Sequence, residues 1–331
     1  MKKEYRNKNY WTYVKNIPHG IMFHHFHDDG LHKRGQGSIT KDELYKIIKF
    51  IGRKNILNAD EFLIRAKENK LKSKNICLTF DDGIKCQHDI ALPVLADLEI
   101  KGFFFIYSSI FTGKPDLLEI YRYFRMNYFK DINEFYKKFY EVLNKNLDNF
   151  FKIKSNEILK LKKRWPHYSI EDLKFRHVRD LFINKFEYRK IMFKLFKEFN
   201  FKPKDYYNKL FLNKKELRNI YSLGHLIGLH SHSHPTKLKN LPLKTQNEEY
   251  KKNIKILSTI LKIKTSEIKS MSHPCGSYNK DTLRILDKMN IELGFNAHME
   301  IEREMGMKKN NNSLLEISRK DHSEIFRIFM N

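Results

Sequence analysis

The sequence has few of the residues and segments that mark several classes of protein. Only three cysteines occur in 331 residues, namely Cys77, Cys86 and Cys275. Their number is odd and their spacing is wide, so the sequence predicts neither a disulfide framework nor a structural zinc finger, and reduced thiols fit best. Residues 1–19 are polar and basic, without an apolar stretch of signal-peptide length, and no segment approaches the length of a membrane span. We therefore expect a cytoplasmic protein.

Acidic side chains are greatly outnumbered, with 39 Asp and Glu against 64 Lys and Arg, which gives a formal net charge of +25. Such a balance can indicate a nucleic acid, an anionic membrane or an anionic substrate as partner. Glycine, proline and alanine are also scarce beside Lys, Asn, Ile, Phe and Tyr, a bias that AT-rich coding would produce without selection for binding. Both explanations of the charge stay open. Because the basic residues are dispersed and no nucleic-acid-binding motif is recognisable, we predict no nucleic-acid partner.

Short apolar runs alternate with helix-like segments in the first and last thirds of the chain. The runs are residues 20–25, 76–80, 102–107, 226–230, 268–272, 293–297 and 314–318. Strands that alternate with helices predict an α/β fold with a mainly parallel sheet or barrel. In such a fold the functional residues usually lie at the carboxyl ends of the strands.

In the middle of the chain the strand pattern stops. The sequence becomes rich in lysine and aromatic residues at helical spacing, as in residues 133–142 and 190–199. We predict an all-helical insertion over residues 114–210 between two parts of a barrel, residues 1–113 and 211–331. Its aromatic residues would form the insertion's own core and docking face. The alternative is a lid, or an amphipathic surface for a membrane or a partner.

Acidic and imidazole side chains follow two of the predicted strands. The run 76–80 leads into Asp81 and Asp82, and Leu229 leads into the sequence His-Ser-His-Ser-His-Pro. One carboxylate and two histidines are a common zinc ligand set in hydrolases, and the second carboxylate lies where a general base is needed. The sequence therefore indicates an enzyme.

Together with a third segment, residues 273–279 (His-Pro-Cys-Gly-Ser-Tyr-Asn), these motifs resemble those of the polysaccharide deacetylase family, in type and in order. The family is also called the NodB-homology group or carbohydrate esterase family 4. The resemblance covers residues 20–112 and 211–322 and leaves the insertion unmatched. It implies a distorted (β/α) barrel of NodB-homology type that binds one divalent metal, usually zinc, and removes acetyl groups from N-acetylated sugars.

The resemblance also implies roles for individual residues. Asp82, His230 and His234 would be the metal ligands, and Asp81 would be the general base that takes a proton from the attacking water. A metal is needed because coordination lowers the pKa of water from about 16 toward about 7. His232 lies between the two histidine ligands. Strand alternation could place it on their side, whereas the family motif makes it a supporting residue.

The third motif departs from the commoner family pattern, which has an arginine where this chain has Ser272. This departure resembles the branch of poly-N-acetylglucosamine deacetylases, in which a Tyr-His pair near the N-terminus supplies the catalytic acid. The match aligns His24 with that acid and leaves His25 as the alternative. Strand alternation would place these two on opposite faces. Arg319 is the expected partner that neutralises Asp81.

Cys275 follows the proline of the third motif. By the same analogy its backbone N–H would help to bind the oxyanion, and its thiol would be a packing residue rather than a nucleophile. The function that the resemblance implies is zinc-dependent N-deacetylation of an amino sugar. Since no export signal is recognisable, we expect an intracellular nucleotide-linked or lipid-linked glycan precursor as substrate, and a basic surface would suit its phosphate groups.

Two further expectations concern the large insertion. It could contact an anionic membrane, which would make the protein peripheral to the inner face of that membrane. It also motivates an alternative function, because a large aromatic insertion and Ser272 in place of the arginine would suit a catalytically weakened member that binds a glycan or a membrane.

Overall fold

Parallel strands form the centre of the fold in the computed structural model, which describes residues 10–12, 14, 17–164, 168–299 and 313–330. Seven strands of these described residues pair in the order β6-β5-β4-β3-β2-β1-β7, and all the pairings are parallel. The strands are β1 His19–Phe23, β2 Ile76–Asp81, β3 Phe103–Ile106, β4 Leu226–Leu229, β5 Ser270–Ser272, β6 Leu293–Phe295 and β7 Arg319–Asp321.

The two edges of this sheet are joined by the segment around Ile317. The Ile317 N–H donates to the Gly294 carbonyl and the Asn296 N–H donates to the Ile317 carbonyl, both at 2.8 Å. Two residues later Arg319 begins β7, which pairs with β1. The strands therefore curve into a nearly closed barrel, and the predicted fold class is confirmed. The predicted seventh strand at 314–318 is displaced, because that segment bonds to β6 before the chain crosses to β1.

Helices connect the strands. In the described residues the α-helices are α1 Lys41–Ile51, α2 Ala59–Lys67, α3 Leu92–Asp97, α4 Leu117–Asn127, α5 Ile132–Leu143, α6 Asp148–Arg164, α7 Ile170–His177, α8 Lys185–Glu198, α9 Tyr207–Leu210, α10 Lys214–Ser222, α11 Leu243–Leu261, α12 Lys280–Lys288 and α13 His322–Met330. Short 3-10 helices include Ser108–Thr112 and Pro274–Gly276, and a π-helix at Gln87–Ala91 precedes α3. None of the helices in this part of the chain has the length and apolar character needed to cross a bilayer.

Alternation along β2 divides its side chains between two layers. Phe80 stacks on Phe104 of β3 at 4.6 Å between ring centroids, in the layer between strands and helices. Thr79 and Asp81 lie in register with Phe103 and Phe105 of β3, on the face that the barrel encloses. Because both faces are buried, the strand reads as a continuous apolar run until its last residue. Asp81 is thus delivered into the interior at the carboxyl end of the strand.

The chain divides into two compact units, a barrel unit (residues 1–116 and 207–331) and a helical unit (Leu117–Tyr206). The helical unit lies within the predicted insertion, residues 114–210. Its aromatic residues contact one another, as in Phe124 with Phe196 at 4.8 Å between centroids and Phe139 with Phe175 at 5.0 Å. All four are buried. These rings form a core that belongs to the helical unit itself.

Candidate metal centre

The chain turns sharply where β2 ends. Asp82 has a φ of +78° and Gly83 has a φ of +66°. Aspartate tolerates the left-handed region better than most residues, and glycine has no Cβ to clash there. A non-glycine residue in this region costs free energy, and such residues are concentrated at functional sites. The turn directs the neighbouring carboxylates of Asp81 and Asp82 to different partners.

His230 and His234 converge on one oxygen of Asp82. Nε2 of His230 lies 3.2 Å from Asp82 Oδ1, and Nε2 of His234 lies 3.3 Å from it. Nδ1 of His230 donates to the Ser272 carbonyl at 2.9 Å, which leaves a lone pair on Nε2. Ser231 and His234 both have positive φ, +62° and +54°. The loop therefore doubles back after β4 and brings the second histidine to the same point.

The geometry of Asp82, His230 and His234 fits a divalent transition metal. Asp82 Oδ1 is buried and has no hydrogen-bond partner among the described residues, although two imidazole nitrogens face it. In a tetrahedral site with bonds of about 2.0–2.1 Å, ligand atoms lie roughly 3.3 Å apart. The two nitrogen-to-oxygen separations match that value. We call these three residues the metal centre; they can hold one ion.

Electrostatics at the metal centre favour positive charge. Burial would raise the pKa of Asp82, but His234, His230 and His24 outweigh that effect and lower it. Burial would lower the pKa of His234, yet the Asp82 carboxylate, with Cys275, raises it above its ordinary value. Both shifts arise because an ionised carboxylate lies next to imidazoles in a buried place. A metal ion would supply the same positive charge.

Asp81 is paired with a buried arginine. Arg319 is 1% exposed, and its Nη1 and Nη2 donate to Asp81 Oδ1 and Oδ2, each at 2.8 Å. Ser272 Oγ accepts from Arg319 Nη2 at 2.7 Å and donates to Asp81 Oδ2 at 3.2 Å. Burial would raise the pKa of Asp81, but the Arg319 charge outweighs it and lowers that pKa. The expected partner of Asp81 therefore lies against it, and Ser272 bonds to both members of the pair.

The prediction that His24 and His25 point to opposite faces is wrong. The strand β1 ends at Phe23, so alternation no longer applies to the two histidines. Their rings are stacked, with centroids 6.1 Å apart and an interplanar angle of 19°. His24 Nε2 lies 3.9 Å from Asp82 Oδ2, and its side chain is 26% exposed. The imidazole of His24 thus borders the metal centre on a side that solvent reaches.

His232 and Cys275 lie beside the metal centre in different ways. Nδ1 of His232 is 2.9 Å from Ser108 Oγ, so its ring is engaged outside the ligand group. Cys275 is exposed, so the prediction that its thiol is a packing residue is wrong. Cys275 has a φ of +51° in the turn after Pro274. The thiol is close enough to His234 to contribute to the raised pKa of that histidine. The oxyanion role of its N–H stays a prediction.

Sequence reasoning missed the residues of α11 that shape the histidine loop. Asn253 Oδ1 accepts from the His230 N–H at 3.0 Å, and Asn253 Nδ2 donates to the Ile106 carbonyl at 3.0 Å. Glu249 Oε2 accepts from the N–H groups of His232 and Ser233. Glu249 and Asn253 are four residues apart and share one face of the helix. That spacing was visible in the sequence, but nothing in it named the loop as their partner.

Gln87 was also missed. Its Nε2 donates to the Asp81 carbonyl at 2.6 Å and to the His24 carbonyl at 3.0 Å. The side chain is fully buried. Gln87 therefore ties the end of β2 to the segment that follows β1, and so fixes the positions of the two chain segments that carry the candidate base and acid.

Comparison with known proteins assigns the chain to a family. The family model described as polysaccharide deacetylase matches residues 68–124 and 187–294. The chain belongs to the polysaccharide deacetylase family. It is accordingly a carbohydrate deacetylase, and the matched residues include the metal centre and Asp81. The match also enters both ends of the helical unit, which the resemblance found in the sequence left outside. No curated protein matches the chain in sequence.

Solved structures have a similar fold. IcaB from Ammonifex degensii is 12% identical, with 96% of this chain and 99% of that chain covered and a TM-score of 0.53. A de-N-acetylase from Aggregatibacter actinomycetemcomitans is 12% identical, with 94% and 99% covered and a TM-score of 0.51. At this level of identity the likeness shows a shared fold, the NodB-type barrel with helical elements.

Proposed function

We propose that this carbohydrate deacetylase depends on a divalent metal, zinc by preference, and removes the acetyl group from the nitrogen of an amino sugar. The observation that carries the proposal is the convergence of two imidazoles on a buried oxygen of Asp82 that lacks a hydrogen-bond partner. Asp82, His230 and His234 would hold the ion, since two nitrogens and one oxygen suit zinc. When bound, the ion supplies Lewis acidity and lowers the pKa of a coordinated water toward neutrality.

Asp81 would accept the proton that water loses as it attacks the amide carbonyl. The lowered pKa of Asp81 keeps its carboxylate ionised at neutral pH. Arg319 and Ser272 fix the orientation of that carboxylate, and its oxygens have further lone pairs that can receive a proton. Asp81 is therefore suited to general-base catalysis.

His24 would donate a proton to the amine nitrogen as the C–N bond breaks. An amide nitrogen is expelled poorly without that proton, and the ordinary pKa of histidine is close to neutrality. The partly exposed ring of His24, near Asp82, suits a group that must meet a substrate arriving from solvent. The backbone N–H of Cys275 would donate to the carbonyl oxygen, which becomes negative during the attack. The products are acetate and a free amino sugar.

For the substrate we propose a phosphate-bearing glycan precursor inside the cell, either nucleotide-linked or lipid-linked. The net charge of +25 supports an anionic substrate, and three free cysteines support a reducing, cytoplasmic location. Peripheral contact with the inner face of an anionic membrane is part of the proposal. It is supported by Phe186, which is 78% exposed and is followed by the basic residues Arg189 and Lys190.

One of the two observations that favoured a catalytically weakened binding module no longer supports that alternative. That observation is Ser272 in place of an arginine. Arg319 forms the paired contact with Asp81 from a different strand, so the general base does not lack a cation. The deacetylase proposal therefore has the stronger support.

Acetate release by the purified, zinc-loaded chain tests the proposal. The substrates are oligomers of N-acetylglucosamine, a nucleotide-linked N-acetyl sugar, a lipid-linked N-acetyl sugar and an O-acetyl ester of the same sugar. We expect acetate from N-acetyl compounds, and most from a phosphate-linked one. The Asp81→Asn chain with unchanged metal content is the control. Stoichiometric metal with release only from the ester would contradict the N-deacetylase assignment, and preference for the uncharged oligomers would contradict the proposed substrate class.

A further inference from the structure

We propose a second divalent-metal site in the barrel unit, formed by His88, Asp89 and Glu216 together with His32. The ligand atoms of the first three lie within 4.8 Å of one another. His88 and Asp89 belong to the π-helix after β2, Glu216 lies on α10, and His32 lies between β1 and α1. None of these residues has a part in the proposed deacetylation. We call this group of four the second site.

Asp89 is the centre of the second site, since an imidazole nitrogen faces each of its two oxygens. His32 Nε2 is 2.9 Å from Asp89 Oδ2, and His88 Nδ1 is 2.8 Å from Asp89 Oδ1. The backbone of His32 is held in place, because the backbone N–H of His32 donates to Asp28 Oδ1 at 2.9 Å within a closed turn. The carboxylate thus has the same kind of neighbours as Asp82 in the metal centre.

Both ring nitrogens of His88 have polar partners. Its Nδ1 faces Asp89 Oδ1 at 2.8 Å and its Nε2 faces Asn219 Oδ1 at 3.1 Å. A neutral imidazole carries one N–H and can donate to only one of these two oxygens. When Nδ1 donates to Asp89, Nε2 presents a lone pair to the side-chain amide of Asn219, which can turn to donate to it. An ion that replaced the Nδ1 proton would take Nδ1 of His88 and Oδ1 of Asp89 as ligands.

Charge at the second site favours a cation. Two carboxylates, Asp89 and Glu216, are accompanied by one ammonium, that of Lys85. Lys85 Nζ forms an ion pair with Glu216 Oε1 and lies 3.6 Å from Asp89 Oδ1. With neutral histidines the group carries one net negative charge, in a chain whose net charge is +25. Lys85 would move aside when an ion binds, and it would compete with that ion.

The donor set selects a class of metal. Imidazole nitrogens with carboxylate oxygens suit zinc, cobalt or nickel, whereas magnesium and calcium prefer all-oxygen ligands. An ion here would join three segments of the barrel unit, namely the loop after β1, the π-helix after β2 and α10. The π-helix also carries Gln87, which bonds to the carbonyls of Asp81 and His24. Metal at the second site would therefore stabilise the segments that carry the candidate base and acid.

Metal stoichiometry of the full chain tests the proposal, with Zn²⁺ or Co²⁺ alone as the probe. We expect the wild-type chain to bind two equivalents, the His230→Ala/His234→Ala chain one, the His88→Ala/Glu216→Gln chain one, and the chain with all four changes none. Zinc should still raise the melting temperature of the His230→Ala/His234→Ala chain. One equivalent in the wild-type chain and none in the His230→Ala/His234→Ala chain would overturn the second site. So would a second equivalent that persists in the His88→Ala/Glu216→Gln chain.

Three further variants keep the test independent of folding defects. Lys85→Met removes the competing ammonium and should tighten binding of the second equivalent about fivefold to tenfold, since a unit charge about 4 Å away contributes that much in a solvated site. Lys255→Met, a change at an exposed lysine on α11, should leave it unchanged. His32→Gln should weaken the second equivalent about tenfold or more. Equal affinities in all three chains and the wild type would overturn the proposal.

Discussion

The metal centre and the second site are built from the same types of side chain, carboxylates and imidazoles. They differ in whether a lysine or arginine forms an ion pair with the carboxylates. At the metal centre one oxygen of Asp82 lies 3.2 and 3.3 Å from two imidazole nitrogens, whereas at the second site each oxygen of Asp89 faces one imidazole nitrogen, at 2.8 and 2.9 Å. At the second site Lys85 pairs with Glu216 and approaches Asp89. In the described part of the chain, no lysine or arginine forms an ion pair with Asp82. The metal centre therefore depends more on an ion and should bind it more tightly.

A similar contrast separates the adjacent carboxylates Asp81 and Asp82. Arg319 binds both oxygens of Asp81, which leaves Asp82 to the histidines. The left-handed turn at Asp82 makes this possible, because it sends the two side chains in different directions. One carboxylate is neutralised by the protein and the other is available to a ligand. The division predicts that the two positions have separable roles.

The largest expected effect comes from breaking the metal centre. The His234→Ala chain should lose its tightly bound metal and its deacetylase activity together, because only one imidazole would then remain beside Asp82. Metal analysis and acetate release on the same preparation check this. His232→Ala is the matched control, since His232 bonds to Ser108 rather than to Asp82, and it should keep its metal. Loss of metal in the control alone would contradict the ligand assignment.

The next largest effect tests the division between the two carboxylates. Asp81→Asn should lower turnover by about two to four orders of magnitude, the usual contribution of a general base, with metal content nearly intact. Asp82→Asn should lose the metal as well. Turnover and metal content are measured for both chains. Equal loss of metal in the two variants would show that the adjacent carboxylates share one role.

A smaller effect is expected at the acid. His24→Ala should reduce acetate release about a hundredfold, the lower range for general-acid catalysis, with metal retained. His25→Ala is a close control because the two rings lie side by side, and its effect should be severalfold smaller. Turnover with a substrate that has a good leaving group should recover in the His24→Ala chain, since that group needs no proton. A greater loss in His25→Ala would transfer the role to His25.

The sequence allowed most of the barrel to be predicted, because most strands lie in short apolar runs and the parallel order follows from alternation with helices. The exception is β7, Arg319–Asp321, which contains no apolar residue. The metal-centre residues could be named because the motifs fix their spacing. The exact end of a strand could not be predicted. The end of β1 at Phe23 depends on its pairing with β2, and it decides how His24 and His25 are oriented.

Contacts between distant segments were also beyond prediction. Nothing near Gln87 in the sequence indicates the carbonyls of Asp81 and His24 as its partners. The backbone of Cys275 adopts a left-handed conformation that most residues avoid, and nothing in the sequence indicated that conformation or the exposure of the residue. Ser272 was interpreted only as the absence of an arginine, whereas its hydroxyl lies between Arg319 and Asp81.

Ser272 gives the next prediction in order of size. Ser272→Ala removes the hydroxyl that bonds to both Arg319 and Asp81. It should lower turnover about fivefold, because the lost hydrogen bond to the base contributes about 1 kcal/mol while the Arg319 pair with Asp81 remains. Ser270→Ala, two residues earlier in the same buried strand, is the control for packing. Turnover and metal content are compared in the two chains. An effect as large as that of Asp81→Asn would mean that Ser272, rather than Arg319, holds the base in place.

The smallest expected effect separates the second site from the metal centre by its response to acid. Burial would raise the pKa of Asp89, but hydrogen bonds from His88 and His32 and the charge of Lys85 outweigh it and lower that pKa. A carboxylate with a lowered pKa stabilises the fold above its ordinary pKa of about 4, and this contribution is lost as the pH falls through the lowered value. With metal removed by a chelator, Asp89→Asn should therefore reduce the free energy of unfolding by about 1 kcal/mol at pH 7.

That deficit should shrink as the pH falls below about 4 and disappear once the pH is below the lowered pKa of Asp89, because protonated Asp89 and asparagine are both uncharged. Urea unfolding at pH 7, 5, 4 and 3 measures it, and Asp281→Asn, at an exposed ion pair, is the control with little expected change. In the presence of zinc, the free energy of unfolding of the wild-type protein should begin to fall at a higher pH than in the presence of a chelator, since protons compete with a metal for its ligands. A deficit that stays constant at every pH would mean that Asp89 acts through packing, and the second site would then lack the electrostatic likeness to the metal centre.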